Sequence, residues 1–184
     1  MFAHVLIPPG VKTLSCGAAV SDSLKAIAKA NHIDMPAVQN DSVTQLLSQT
    51  RIEVAPATYV IVGITHHDWE RLLENPELSP NARAPFMVFR DVKEVTLVIE
   101  NDDWQRIRHA VRDARVESDY RLITLDVVLP WNVVGYIAQV AKILADANIS
   151  VGVLSSFSRD HLLIKQQDLG RALKSLGPHV LETC

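Results

Sequence analysis

The sequence predicts an α+β fold made of ferredoxin-like β-α-β-β-α-β units, each a single sheet with its helices on one face. Three observations predict it. From Ile52 onward, short β-branched apolar runs alternate with amphipathic stretches, the second half repeats the order of the first more cleanly, and neighbouring strand runs are separated by turn-length gaps. The 184 residues suit one sizeable domain or two small ones. With 48% hydrophobic and 21% charged residues the chain has enough apolar side chains for a core, so wholesale disorder is not expected.

Residues 1–52 differ from the rest, being raised in Ala, Ser, Gln and Asn with weak apolar periodicity. They read as a partly helical N-terminal extension, with one short helix over 21–31 and a second capped by Asp41 that runs through Leu46 and Leu47. Residues 58–64 (TYVIVGI) form a strand, and 68–74 a short helix that ends near Pro76. Residues 86–90 and 94–100 form two strands, joined by Asp91, Val92 and Lys93 in a tight hairpin. Asn101 or Asp102 caps a helix expected to continue to Arg115, with Trp104, Ile107, Val111 and Ala114 on one face.

In the second half, residues 122–129 form a strand that stops at Pro130, because proline cannot continue a ladder. A long helix follows, striped by Val133, Ile137, Val140, Leu144 and Ala147. Strands over 150–157 and 161–165 are joined by Ser158, Arg159 and Asp160. Asp168 caps a helix to Leu176, and a last short strand covers 179–181. The expected division is an extension over 1–52, a degenerate module over 53–118 and a regular one over 119–184.

Composition and motifs exclude several functions. Eighteen Lys and Arg against 21 Asp and Glu give a net charge of -3, which supplies no general surface for nucleic acid. Arg106, Arg108, Arg112 and Arg115 fall in one expected helix, but Asp102, Asp103 and Asp113 offset them, so a solvated face is expected and nucleic acid is not a partner. The most apolar stretch, 127–141, is broken by Pro130, Asn132 and Gln139 and is too short to cross a bilayer. Cys16 and Cys184 form no CxxC pattern, and the apolar start has no basic flank, so a cytoplasmic compartment is expected. The glycines form no phosphate-cradling motif. His66 and His67 lack a metal-ligand spacing, and no nucleophile, acid or base set is visible. No metal, cofactor or catalytic residue is expected; the chain reads as non-enzymatic.

Two pieces in order, a Gly at a strand-to-helix loop and an S-[ST]-[FY]-x-x-[DE] strand end, carry a family resemblance. In NVVGYIAQVAKILADANIS (132–150) and LSSFSRDHLLIKQQDL (154–169) the chain resembles the ACT domain, a ligand-sensing β-α-β-β-α-β module that usually pairs with another copy. The likeness extends to the ACT repeats of the cytosolic arginine sensor of the mTORC1 pathway and to related small tandem ACT proteins. It continues more weakly over 58–104, where PFMVFRDVKEVTLVIENDDW resembles a more degenerate first ACT half. The resemblance implies a regulatory protein that binds an amino acid between two ACT modules, a homodimer, and a protein effector. A ligand-free ACT scaffold acting as an interaction module is the alternative.

The positions it marks are Asn132, Val134, Gly135 and Tyr136 at the loop and helix start, and Ser156, Phe157 and Asp160 at the strand end. Physical chemistry supports the same places. A helix N-terminus offers unpaired N–H groups and a positive dipole end to a ligand carboxylate, and Gly135 lets that backbone come close. Asp160 accepts from a cationic group, and Phe157 supplies an apolar or cation–π wall. Each also has a plain role: helix-to-sheet packing for Gly135, core for Phe157, and a hairpin position for Asp160. Asn132 stands where the arginine sensor has an acidic residue, so a neutral or acidic amino acid, or none, stays open beside arginine. Arg159 either pairs with Asp160 or repels a cationic side chain.

Overall fold

The structure, a computed structural model, describes residues 40–80 and 83–183. In chain order its elements are α1 (Asn40–Gln49), β1 (Arg51–Ile64), α2 (His66–Leu73), β2 (Met87–Arg90), β3 (Val95–Glu100) and α3 (Asn101–Ile107). They continue with β4 (Ala114–Asp126), α4 (Tyr136–Asp146), β5 (Gly152–Ser155), β6 (Asp160–Lys165), α5 (Leu169–Leu176) and β7 (Glu182–Thr183). The helix expected over 21–31 lies outside the described residues.

The strands make one sheet in the order β2-β3-β1-β4-β6-β5, antiparallel throughout this path, with β7 pairing parallel to the start of β1. This is an α+β fold of the ferredoxin-like kind, as expected. Two long strands tie it together. β1 pairs β4 from Arg51↔Asp126 to Ile64↔Ala114, so both run through the two halves of the sheet. Their ladder breaks at two places. Between Val54 and Thr58 the register shifts around Pro56, which has no N–H to give to a ladder. Arg121 donates from Nη2 to the Ala55 carbonyl at 2.6 Å and so satisfies a backbone group at this irregularity. Opposite the second shift, Asp119 has φ 64. Its short polar side chain makes it one of the few residue types suited to the left-handed region.

Alternation along the strands sorts the side chains onto two faces. On the helical face, Ile52, Ile123, Leu125, Leu162 and Ile164 pack with Tyr136, Val140 and Leu144 of α4, Ala172 and Leu176 of α5, and Val43 and Leu47 of α1. A second cluster joins Val60, Val62, Ile64, Val95, Leu97 and Ile99 to Leu72, Trp104 and Ile107. The opposite face carries Tyr59, Val98, Leu122 and Leu163.

α1 is therefore part of the core, and a buried hydrogen bond pins it. Thr50 donates its hydroxyl proton to the Leu46 carbonyl at 2.8 Å, so the Tyr136 hydroxyl, 2.8 Å from Thr50 Oγ1, is the donor in that pair. Tyr136→Phe is expected to cost about 1 kcal/mol, a drop of a few degrees in melting temperature, with no change in far-UV circular dichroism.

Several boundaries differ from the sequence reading. The strand expected at 58–64 begins at Arg51, because the paired β4 and β7 extend it past Pro56. The helix expected to reach Arg115 ends at Ile107, followed by a 3-10 turn (Arg108–Ala110), and Ala114 and Arg115 enter β4. Pairing with β1 overrides local helix propensity there. The four arginines consequently do not share a helix face. Arg106 binds Asp103 at 2.8 Å and the Ser79 carbonyl at 2.7 Å, and Arg115 pairs with Glu94. The strand expected to run to Leu129 ends at Asp126, and the last strand is Glu182–Thr183. Asp168 precedes α5 without capping it through its side chain, which pairs with Arg171 at 2.6 Å.

Thr65 and Asp68 form a reciprocal cap for α2: the Asp68 N–H donates to Thr65 Oγ1 at 3.0 Å, and the Thr65 hydroxyl donates to Asp68 Oδ2 at 2.9 Å. His66 Nε2 lies 2.9 Å from the Asp91 carbonyl, which assigns this histidine to hairpin packing. Among the described residues no group of three metal-ligating side chains gathers, and no helix is long and apolar enough to cross a membrane.

Candidate functional site

The loop between β4 and α4 meets the β5–β6 hairpin because backbone bonds join them. The hairpin turn is closed by Ser156 N–H donating to the Arg159 carbonyl at 2.9 Å, with the Ser156 hydroxyl donating to the same oxygen at 3.0 Å. The Leu129 N–H then donates to the Ser158 carbonyl at 3.0 Å, tying the loop to the turn. Between the two lies a pocket of about 210 Å³.

Gly135 is the N-cap of α4 at φ 92, a left-handed conformation that only glycine adopts without strain. Having no side chain, it leaves the first-turn N–H groups of α4 without a side-chain acceptor. Gly135, Tyr136 and Ile137 all line the pocket, so the positive end of the helix borders it.

Ser156, Phe157 and Asp160 of the β5–β6 hairpin line the same pocket. Asp160 is half-buried at the start of β6 and accepts a hydrogen bond from Ser155 Oγ at 2.6 Å, which fixes its carboxylate. Arg159 turns from it and pairs with Asp126 at 2.5 Å, so of the two expected roles for Arg159 it takes neither directly. Asp160 is thus the one carboxylate that lines the pocket, whose lining also includes the start of α4. A zwitterion matches this arrangement: its carboxylate suits the N–H groups and its ammonium suits Asp160.

Five of the seven expected residues, Gly135, Tyr136, Ser156, Phe157 and Asp160, therefore meet at one pocket. Asn132 and Val134 lie in the exposed loop and do not line it. Tyr136 contributes its ring alone, since its hydroxyl is committed to Thr50; burial pushes its pKa up to about 12, with Thr50 opposing the shift and the Asp160 charge adding to it. Phe157 is 84% exposed, and is not core. Its ring meets Trp131, itself 79% exposed, edge to face at 5.8 Å. Trp131 is a pocket residue that the sequence reading did not mark, although an aromatic between Pro130 and Asn132 was the available signal.

His161, next to Asp160, has a lowered pKa: burial disfavours its charged form, and Arg159 adds to this while Asp160 opposes it. The neutral ring is thus favoured on folding, so its contribution is complete above the ordinary value of 6.5 and is lost as pH falls through the lowered value. The melting-temperature gap between the parent and His161→Gln is expected to narrow between pH 7 and pH 5.

Residues 115–177 match the family described as ACT domain, a stretch that contains every expected site residue. A search of curated proteins finds no match. Among solved structures, the chain is similar to a protein of unknown function from Vibrio cholerae, described as a possible transport protein, with 27% identity and a TM-score of 0.57 over 76% of this chain and 96% of that one. It is also similar to a protein from Agobacterium tumefaciens with 18% identity and a TM-score of 0.58, covering 73% of this chain and 91% of that one. The regulatory subunit of aspartate kinase from Thermus flavus aligns with 12% identity and a TM-score of 0.57, covering 72% and 98%. At such identities the last two speak for the fold.

Proposed function

We propose that this chain is a non-enzymatic regulatory protein that binds a free amino acid in the pocket between Gly135 and Asp160. The observation that carries the reading is the meeting, around about 210 Å³, of an uncapped helix start at Gly135 with a fixed carboxylate at Asp160. The ACT match over 115–177 and the likeness to a regulatory subunit of aspartate kinase support it.

The two halves of the sheet read as two ACT modules, about 53–118 and about 119–184, joined through β1 and β4. The protein acts in the cytoplasm as a homodimer, and a second copy covers the pocket mouth so that the ligand lies between modules. A neutral ligand fits best. Arg159 near the pocket and the single free carboxylate offer no second acceptor for a cationic side chain, so the reading does not follow the arginine sensor to its ligand.

One observation favours the interaction-module alternative. Trp131 and Phe157, in edge-to-face contact at the pocket, are large apolar side chains 79% and 84% exposed, as on a protein-binding surface. Thermal melting with each of the twenty amino acids at millimolar concentration separates the two. The sensor reading expects at least one of them to raise the melting temperature by several degrees; a flat response to all twenty sinks it in favour of the scaffold.

A further inference from the structure

In the proposed site the start of α4 and Asp160 take the two charged ends of an amino acid, which leaves the rest of the lining to its side chain. The other polar side chains there already hold partners. Arg159 pairs with Asp126 at 2.5 Å and donates from Nη1 to Ser158 Oγ at 3.3 Å. Ser155 donates to Asp160, Ser156 to the Arg159 carbonyl, and the Tyr136 hydroxyl to Thr50. A polar ligand side chain gives up bonds to water in this pocket and has to compete for groups that are engaged elsewhere.

The remaining side chains of the lining are apolar. Leu129, Val133 and Ile137 are partly buried and pack against the core, so their part of the pocket is held in place. Trp131 and Phe157 come from different segments, the β4–α4 loop and the β5–β6 turn, and meet edge to face while both are largely exposed. Two large rings left in water at a pocket are apolar surface without a cover, and an apolar ligand group there takes part of it out of water. Size narrows the choice. A cavity of about 150 Å³ holds benzene, so about 210 Å³ holds a molecule roughly 1.4 times as large, the size of valine, leucine or isoleucine and short of phenylalanine.

Resting on the amino-acid reading above, we propose that the pocket selects a branched aliphatic amino acid, valine, leucine or isoleucine, and that Trp131 and Phe157 set this specificity. Both rings contact the ligand's side chain and neither touches its charged ends, so their removal acts on the choice of ligand rather than on amino-acid binding as such.

The test is calorimetric titration of the full chain with leucine, alanine, asparagine and phenylalanine. Leucine is expected to bind about tenfold more tightly than alanine, and by about the same factor more tightly than asparagine, which nearly equals it in size. Phenylalanine is expected to be weaker than leucine. Trp131→Ala and Phe157→Ala are each expected to weaken leucine about fivefold and alanine by less than about twofold. The melting temperature of the free protein is expected to stay unchanged in both, because the rings they remove are exposed. Trp131→Phe is expected to keep most of the preference for leucine. Leucine is also expected to move the fluorescence of Trp131 to shorter wavelength, a change absent in Trp131→Phe, since Trp69 and Trp104 belong to the cluster of the other half. Alanine and asparagine binding as tightly as leucine, phenylalanine binding more tightly, or full leucine affinity in both alanine variants overturns the side-chain assignment while the amino-acid reading stands. Absence of binding by every amino acid overturns both.

Discussion

Gly135→Val is expected to abolish amino-acid binding and to lower stability by about 2 kcal/mol. The N-cap of α4 stands at φ 92, where an L side chain brings Cβ against its own backbone, at about 1–2 kcal/mol for an ordinary residue and more for a β-branched one. The chain escapes by rotating the peptide planes on either side, which displaces the first-turn N–H groups of α4. Those groups border the pocket through Tyr136 and Ile137, so the damage falls on ligand binding as well as on folding. Chemical denaturation gives the stability term, and titration of a stabilising amino acid gives the affinity. Gly135→Ala serves as the graded version, with a smaller loss of both. If valine is tolerated with unchanged affinity, the helix start does not hold the ligand.

Asp160→Asn is expected to weaken the same ligand by about 10- to 100-fold with little change in melting temperature. The substitution keeps the shape of the side chain and its acceptor for Ser155 Oγ, and removes only the charge. A hydrogen bond to a charged group contributes about 1.5–3 kcal/mol, which sets that range. The same substitution removes the charge that favours protonated His161, so the pKa of that ring, followed by NMR, is expected to fall further. An unchanged ligand affinity with a shifted His161 would place the ammonium elsewhere.

Much of this fold was legible because it rests on local patterns. The alternation of Ile123 and Leu125 and the helical spacing of Val133, Ile137, Val140, Leu144 and Ala147 each specify one buried face; the structure buries Ile123, Leu125, Val140 and Leu144 and packs the other three, partly buried, against them. Where the reading failed, pairing distant in sequence decided the outcome. Residues 108–115 have helical spacing of apolar side chains, yet Ala114 lies opposite Ile64 in the β1–β4 ladder, and the ladder wins. A strand is expected only from residue 58, but the chain pairs on both sides of Pro56, across an irregularity that Arg121 helps to satisfy.

The site shows the same division. Gly135 and Asp160 were readable because glycine at a helix start and an acid at a strand end are chemical signals in themselves. Asn132 and Val134 belong to the same stretch, but the loop leaves both exposed and outside the pocket lining. The Leu129 N–H to Ser158 carbonyl bond joins the loop to the hairpin across 29 positions, and periodicity carries no trace of such a contact. The cluster of Tyr59, Val98, Leu122 and Leu163 on the opposite face is drawn from four strands, whose neighbours are set by sheet order rather than by sequence order.

The most direct measurement is an amide-resolved titration of the ¹⁵N-labelled chain with the amino acid that most raises its melting temperature. Saturable shifts centred on Gly135, Tyr136, Ile137, Phe157 and Asp160, and lost in Asp160→Asn, are the predicted result. Shifts that cluster elsewhere, or that persist unchanged in Asp160→Asn, would contradict the placement of an amino-acid site at this pocket.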